Sequence, residues 1–207
     1  MQEYNKSFSE FQLFRHHLEK LTQEHGLNVK TIQEAGLFSA TAQTLNQILH
    51  RTDIASDGIV SPYSIYGFNR ARVDIPLVLN GNEVKYLSPT GSKNHLYIPS
   101  PVQSVLKDAS QRLYFTEGEF KSLKATQDGF PCVGLGGVWG FRSEGALLED
   151  FEQIELRSRE VVIVLDYDAR FNFDVCYAGY AFAIEMAKLG AKPRVIILPE
   201  ISEVSNV

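Results

Sequence analysis

The sequence predicts an α/β fold built on a parallel sheet, and three observations carry that prediction. Val161-Val-Ile-Val-Leu165 is an unbroken aliphatic run, as expected of a strand buried on both faces of a parallel sheet. From residue 102 onward, strand-like and helix-like segments alternate, the pattern of right-handed β-α-β crossovers. Finally, two strand-like runs end in carboxylates: Leu113-Tyr-Phe-Thr before Glu117-Gly-Glu119, and Val161–Leu165 before Asp166-Tyr-Asp168. Carboxylates so placed sit at strand C-terminal ends, where open α/β sheets hold their ligands.

A chain of 207 residues supports one good core or two small lobes. Its 44% apolar and 22% charged content is that of an ordinary soluble globular protein. No apolar run approaches the ~20 residues of a membrane span, and Met-Gln-Glu-Tyr-Asn-Lys at the start has no apolar signal segment. A cytoplasmic protein with no membrane partner is expected. The net charge of −5 argues against tight, non-specific nucleic-acid binding by the whole surface, while leaving room for a local basic strip. Cys132 and Cys176 stand far apart in apolar surroundings and read as reduced, buried and structural. Without a Cys-x-x-Cys there is no zinc ribbon.

Residues 1–56 read as a helical N-terminal region. Phe11, Phe14, Leu18 and Leu21 share one face of a first helix that Gly26 closes. Asn28 caps a second helix ending at Ala35-Gly36, and Ser39 opens a third with Ala42, Leu45, Ile48 and Leu49. Residues 57–100 read as a small antiparallel β lobe. Its strands are Gly58-Ile-Val, Arg72–Pro76, Leu77-Val-Leu, Glu83–Leu87 and His95–Ile98, with a hairpin turn at Asn80-Gly81-Asn82. Pro99-Ser-Pro101 marks a boundary.

Residues 101–207 form the parallel-sheet domain. Val102–Ser110 is expected as a helix, Arg112–Thr116 as a strand and Glu119–Asp128 as a helix stopped by Gly129 and Pro131. Cys132–Leu135 is a strand entering Gly134-Leu-Gly-Gly-Val-Trp-Gly140. Leu147–Leu156 reads as helix, Val161–Leu165 as strand, Val175–Lys188 as an apolar helix ending at Gly190, and Arg194–Leu198 as the last strand. The glycine-rich stretch is not a dinucleotide fingerprint, because no acidic residue about 20 positions on follows a matching unit. Trp139 and Phe141 fit the core better than a base stack. The five histidines show no ligand spacing, and adjacent His16 and His17 point to different sides of a helix.

On an extended backbone Asp166 and Asp168 project to the same side. Two carboxylates so close repel, a cost that a cation offsets. If Glu117 comes from a neighbouring strand, the three oxygens suit Mg²⁺ or Mn²⁺.

Thr116-Glu-Gly-Glu-Phe-Lys121 followed by Leu165-Asp-Tyr-Asp168 resembles the Toprim domain, the catalytic domain of bacterial replicative primases, type IA and type II topoisomerases and some nucleases. Upstream, Lys85-Tyr-Leu-Ser-Pro89, Lys93 and His95-Leu-Tyr97 are similar to the segment preceding Toprim in bacterial primases. With the glycine-rich stretch, residues from about 57 to 198 most resemble the primase-like proteins of plasmids, phages and mobile elements. The resemblance implies a Toprim-like, Rossmann-like parallel sheet of about four strands. It implies Glu117 as acid/base or metal-linked glutamate and Asp166 and Asp168 as metal ligands. Arg70, Arg72, Lys85, Lys93 and Lys121 are candidates for contacting template or nucleotide phosphates.

The implied activity is primer synthesis on single-stranded DNA by a metal-dependent nucleotidyltransferase. Template and nucleoside triphosphates would be its partners, with a replicative helicase as a further candidate. A non-catalytic nucleic-acid-binding or assembly module, and a Toprim nuclease, are the alternatives. Two departures stand out. Lys121 occupies a position where primases often carry Asp, and the acidic residues primases place after the last strand are represented here only by Glu200 and Glu203. No P-loop is present, so the chain is not a complete primase–helicase.

Overall fold

The computed structural model describes residues 12–79 and 81–200, within a chain that divides into two compact units, Met1–Lys93 and Asn94–Val207. The expected roles of Phe11 on a helix face, Asn80 in a turn and Glu203 near the C-terminus lie outside the described residues.

In the first unit, helix α1 (Arg15–Glu19) runs on through a π-helical turn, Lys20–Glu24, and stops at Gly26, whose φ of +63° suits glycine. Phe14 is extended and precedes the helix. Helix α2 (Val29–Glu34) is capped as expected: the Asn28 side chain accepts from the Thr31 N–H at 2.8 Å. Ser39 does not open the third helix. It lies in strand β1 (Phe38–Ala40), and Thr41 caps helix α3 (Ala42–Ile48). The Ser39 hydroxyl is engaged elsewhere, accepting from the Phe14 N–H at 2.7 Å.

Strands β1, β2 (Gly58–Tyr63), β3 (Phe68–Leu79) and β4 (Asn82–Leu87) form an antiparallel sheet in that order. The two strands expected around Pro76 are one 12-residue strand. Pro76 is tolerated because the pairing register with β4 shifts between Arg72 and Leu77. Ala40, Leu45, Leu49, Val60, Val73 and Leu87 share one core, so the helical stretch and the β strands pack together.

In the second unit, helix α4 (Ser100–Gln103) is shorter than the sequence suggested, and His95–Ile98 contributes only an isolated bridge from Tyr97 to Gly134. Strands β5 (Leu113–Glu117), β6 (Cys132–Leu135), β9 (Glu160–Leu165) and β10 (Lys192–Ile197) form a parallel sheet in the order β10-β9-β5-β6. Helix α5 (Glu119–Gln127) links β5 to β6, and α6 (Phe173–Lys188) links β9 to β10. A mixed α/β architecture with about four parallel strands is therefore present.

The helix expected over Leu147–Leu156 is replaced by a two-stranded hairpin, β7 (Arg142–Ser143) and β8 (Ala146–Leu147), and a 3₁₀ segment, Glu149–Gln153. Tertiary bonding overrides the helical pattern there. The Asp150 carboxylate turns inward, accepting from the Leu96 N–H at 2.7 Å and facing the His95 ring. Phe115 packs against Phe151 and Phe182 in the core between sheet and helices. Arg159, also fully buried, donates to the carbonyls of Val105, Leu106, Gln111 and Glu155. Burial pushes the Cys132 thiol up to about 12, whereas Cys176 is only half-buried. No described helix is long and apolar enough to cross a membrane.

Candidate functional site

The chain lays down β5 first, places β6 on one side of it, then crosses to the other side for β9 and β10. Strand order therefore reverses between β5 and β9, where the loops at the C-terminal ends diverge and leave a crevice. Glu117 is the last residue of β5, and Thr116 pairs with Val164 of β9. Asp166 follows the last residue of β9. Both residues line one pocket, with Thr116, Val138, Leu165 and Val175 among its walls.

The local sequence builds this edge. Gly118 has φ +88°, a conformation suited to glycine, and so turns the chain from strand to helix within one residue. Its N–H donates to the Leu135 carbonyl at 2.8 Å. A Cβ at Gly134 would lie 2.8 Å from the Gly118 carbonyl oxygen, so glycine there lets β6 approach the turn. Glu119, the second acid of the motif, turns inward and is buried. Lys121, in the first turn of α5, reaches across to the Asp166 carboxylate, and the pair is part-exposed. The helix dipole disfavours a cation at that position; the carboxylate opposite compensates.

Asp168 behaves differently from the sequence expectation. Asp166 is extended, with φ −69° and ψ 165°, but the chain then enters a 3₁₀ turn, Tyr167–Arg170. The two-residue repeat of a strand is lost, so the geometry that would aim both side chains the same way is absent. Asp168 is exposed, and its carbonyl accepts from the N–H groups of Phe171 and Asn172. Among the described residues, the group of three or more His, Cys, Asp or Glu ligand atoms lying within 4.8 Å of one another is His16, His17 and Asp74. Glu117, Asp166 and Asp168 are thus more open than a closed three-carboxylate cage.

That openness is compatible with Mg²⁺. The ion takes oxygen donors, uses one or two carboxylates and keeps several waters. Glu117 and Asp166 supply such donors at one pocket, with Asp168 in the adjoining turn. A bound ion would have to displace the Lys121 ammonium from Asp166.

The basic candidates lie in the first unit, Lys121 apart. Arg70 and Arg72, two apart on β3, both sit over the Tyr86 ring, at 5.2 and 6.0 Å. Lys85 precedes Tyr86 on β4 and so takes the opposite sheet face, where it is exposed. Lys93 is exposed in the loop beyond β4. These basic residues do not share one face. In the second unit Phe141 is fully buried, but Trp139 is 40% exposed beside Tyr177 rather than in the core.

Sequence reasoning missed the His16, His17 and Asp74 group. Adjacent histidines suggested divergent directions, and nothing in the sequence ties them to an aspartate on β3.

The fold is similar to that of solved primase catalytic cores. The Aquifex aeolicus primase, solved as its zinc-binding and RNA polymerase domains, superposes with a TM-score of 0.59 at 16% identity, over 91% of this chain and 51% of that one. A DNA primase domain from Pseudomonas aeruginosa gives 0.57 at 14% identity, over 90% and 65%. A DnaG primase catalytic domain bound to single-stranded DNA gives 0.56 at 16% identity, over 89% and 64%. The chain spans between about half and two thirds of the length of these structures. The sequence profile of a family described as a domain of unknown function, DUF3854, matches residues 102–203. No curated protein matches the sequence.

Proposed function

We propose that this chain is a primase-like nucleotidyltransferase module that joins nucleotides on a single-stranded DNA template. The observation that carries the reading is the position of Glu117 and Asp166, on adjacent strand ends at the switch point of a primase-type sheet. Glu117 and Asp166, with Asp168 beside them, would hold Mg²⁺ or Mn²⁺. The ion would supply charge neutralisation for the triphosphate and the attacking 3′-hydroxyl. Glu117 would also accept the hydroxyl proton. Lys121, once off Asp166, presents an ammonium to phosphate oxygens. Arg70, Arg72, Lys85 and Lys93 are proposed contacts for template or nucleotide phosphates. A cytoplasmic replication role with a replicative helicase as partner, in a plasmid, phage or mobile element, completes the proposal.

A second reading has its own support. Lys121 neutralises Asp166 and the carboxylates do not close on one point, which suits a module that binds nucleic acid without catalysis. Template-dependent primer synthesis in Mg²⁺ and in Mn²⁺, run beside a nuclease assay, separates the readings. The expected result is template-dependent product from wild type and none from Glu117→Gln or Asp166→Asn. Binding of single-stranded DNA with neither synthesis nor cleavage would establish the non-catalytic reading. Cleavage alone would identify a nuclease. In thermal melts, Mg²⁺ should raise the melting temperature of wild type, by RT ln(1 + [Mg²⁺]/Kd) in free energy, and leave Asp166→Asn unchanged.

A further inference from the structure

We propose that His16, His17 and Asp74 form a binding site for a divalent transition-metal ion of the zinc type, a site separate from the carboxylate edge. The residues belong to one unit. His16 and His17 come from the first turn of α1 and Asp74 from β3. The Asp74 Oδ2 lies 3.3 Å from His16 Nε2 and 3.0 Å from His17 Nε2. Ligands bound at ~2.0–2.1 Å around a tetrahedral ion stand roughly 3.3 Å apart, so both Asp74–histidine separations match the spacing of bound ligands, and all three atoms lie within 4.8 Å of one another.

The donor set selects the ion. Two imidazole nitrogens and one carboxylate oxygen suit zinc and its neighbours; Mg²⁺ and Ca²⁺ prefer oxygen throughout. The surroundings fix the ligands in the way metal sites need. His17 is fully buried, and its Nδ1 is 2.6 Å from the Ser39 hydroxyl, which in turn accepts from the Phe14 N–H. A hydrogen bond on the far ring nitrogen orients a ligating histidine and raises its basicity. Phe14 stacks on both imidazoles, with centroids 5.9 and 5.5 Å away, and limits their rotation. The His16 side chain is 61% exposed, which leaves an entry path and an open fourth position for water. Since α1 and β3 are joined here, the ion would clamp the helix onto the sheet.

The test uses the untagged full chain, stripped with EDTA and titrated with ZnCl₂ by calorimetry. Co²⁺ serves as a spectroscopic substitute. One Zn²⁺ per chain is expected, with the intense d–d absorption of low-coordinate Co²⁺ and a rise in melting temperature that EDTA reverses. His16→Ala, at an exposed position, and the near-isosteric Asp74→Asn should lose binding while keeping the EDTA-treated melting temperature and circular dichroism of folded protein. Ser39→Ala should weaken binding about tenfold. Glu117→Gln should bind Zn²⁺ as wild type does, which separates this site from the carboxylate edge. Absence of binding, or binding undiminished in both His16→Ala and Asp74→Asn, would overturn the proposal.

Discussion

The two four-stranded sheets of this protein put their chemistry in different places. In the antiparallel sheet, residues alternate along β3: Ala71 and Val73 are buried, while Arg70 and Arg72, the residues before each, face out onto Tyr86. Polar groups are strung along an open face. In the parallel sheet, β6 is buried throughout and the centre of β9 likewise. Where the sheet is covered on both sides, away from the exposed edge strand β10, it has no face on which to display polar groups, so they collect at the strand ends, where Glu117 and Asp166 line one pocket. The lesson is that helix coverage decides whether a sheet presents a surface or a point.

The largest test of that contrast concerns Arg159. Its buried guanidinium ties the start of β9 to carbonyls in the 105–111 segment. Arg159→Met leaves several buried carbonyls without their donor and should lower the stability of the parallel-sheet unit by about 3–5 kcal/mol in urea denaturation. A loss below about 1 kcal/mol would mean that water replaces the arginine, and that the unit is less tightly covered than argued.

Next come two glycines, one in each sheet. A Cβ at Gly58 would sit 2.6 Å from the Arg72 carbonyl oxygen, and one at Gly134 2.8 Å from that of Gly118. Each Gly→Ala change should destabilise by about 1–3 kcal/mol, Gly58 the more. They should differ in a second readout. Gly134→Ala displaces the turn that carries Glu117 and should weaken the response to Mg²⁺. Gly58→Ala should leave that response intact, and equal effects would dissolve the contrast.

The smallest effect on stability is expected at Lys121. Its pair with Asp166 is part-exposed on both sides, so Lys121→Met should change stability by less than about 1 kcal/mol. The same change removes a competitor for the carboxylate and should tighten Mg²⁺ binding measured by calorimetry. Unchanged or weaker binding would show that the ammonium does not stand in a cation's place.

Legibility in the sequence followed the same contrast. The strands and helices of the parallel sheet were readable because two-sided burial writes unbroken apolar runs, such as Val161–Leu165. Caps at Asn28 and stops at Gly26 and Gly129 were readable because their chemistry is local. Segments governed by distant partners were not. Asp150, drawn to Leu96 and His95, turned an expected helix into a hairpin and a 3₁₀ segment. Ser39 went to a strand because its hydroxyl serves Phe14. At the site, Glu117 and Asp166 could be placed from their strands, whereas the 3₁₀ turn that redirects Asp168 left no mark in its spacing. The histidine group depends on a pairing 57 residues apart, beyond any periodicity.

The crossing of the chain from β6 to β9 also bears on how the protein folds. Thr116 and Val164 are neighbours in the sheet, so their pairing closes a loop of about fifty residues, whose entropy is lost before the contact returns anything. The β5–α5–β6 portion is local and can form early, with Glu117 already at its edge. Its carboxylate partner arrives only when β9 docks. During synthesis, Glu117 emerges well ahead of Asp166, and the two can be joined only after β9 has been made. The acidic edge is therefore a late event of folding, and its assembly reports that the parallel sheet has closed.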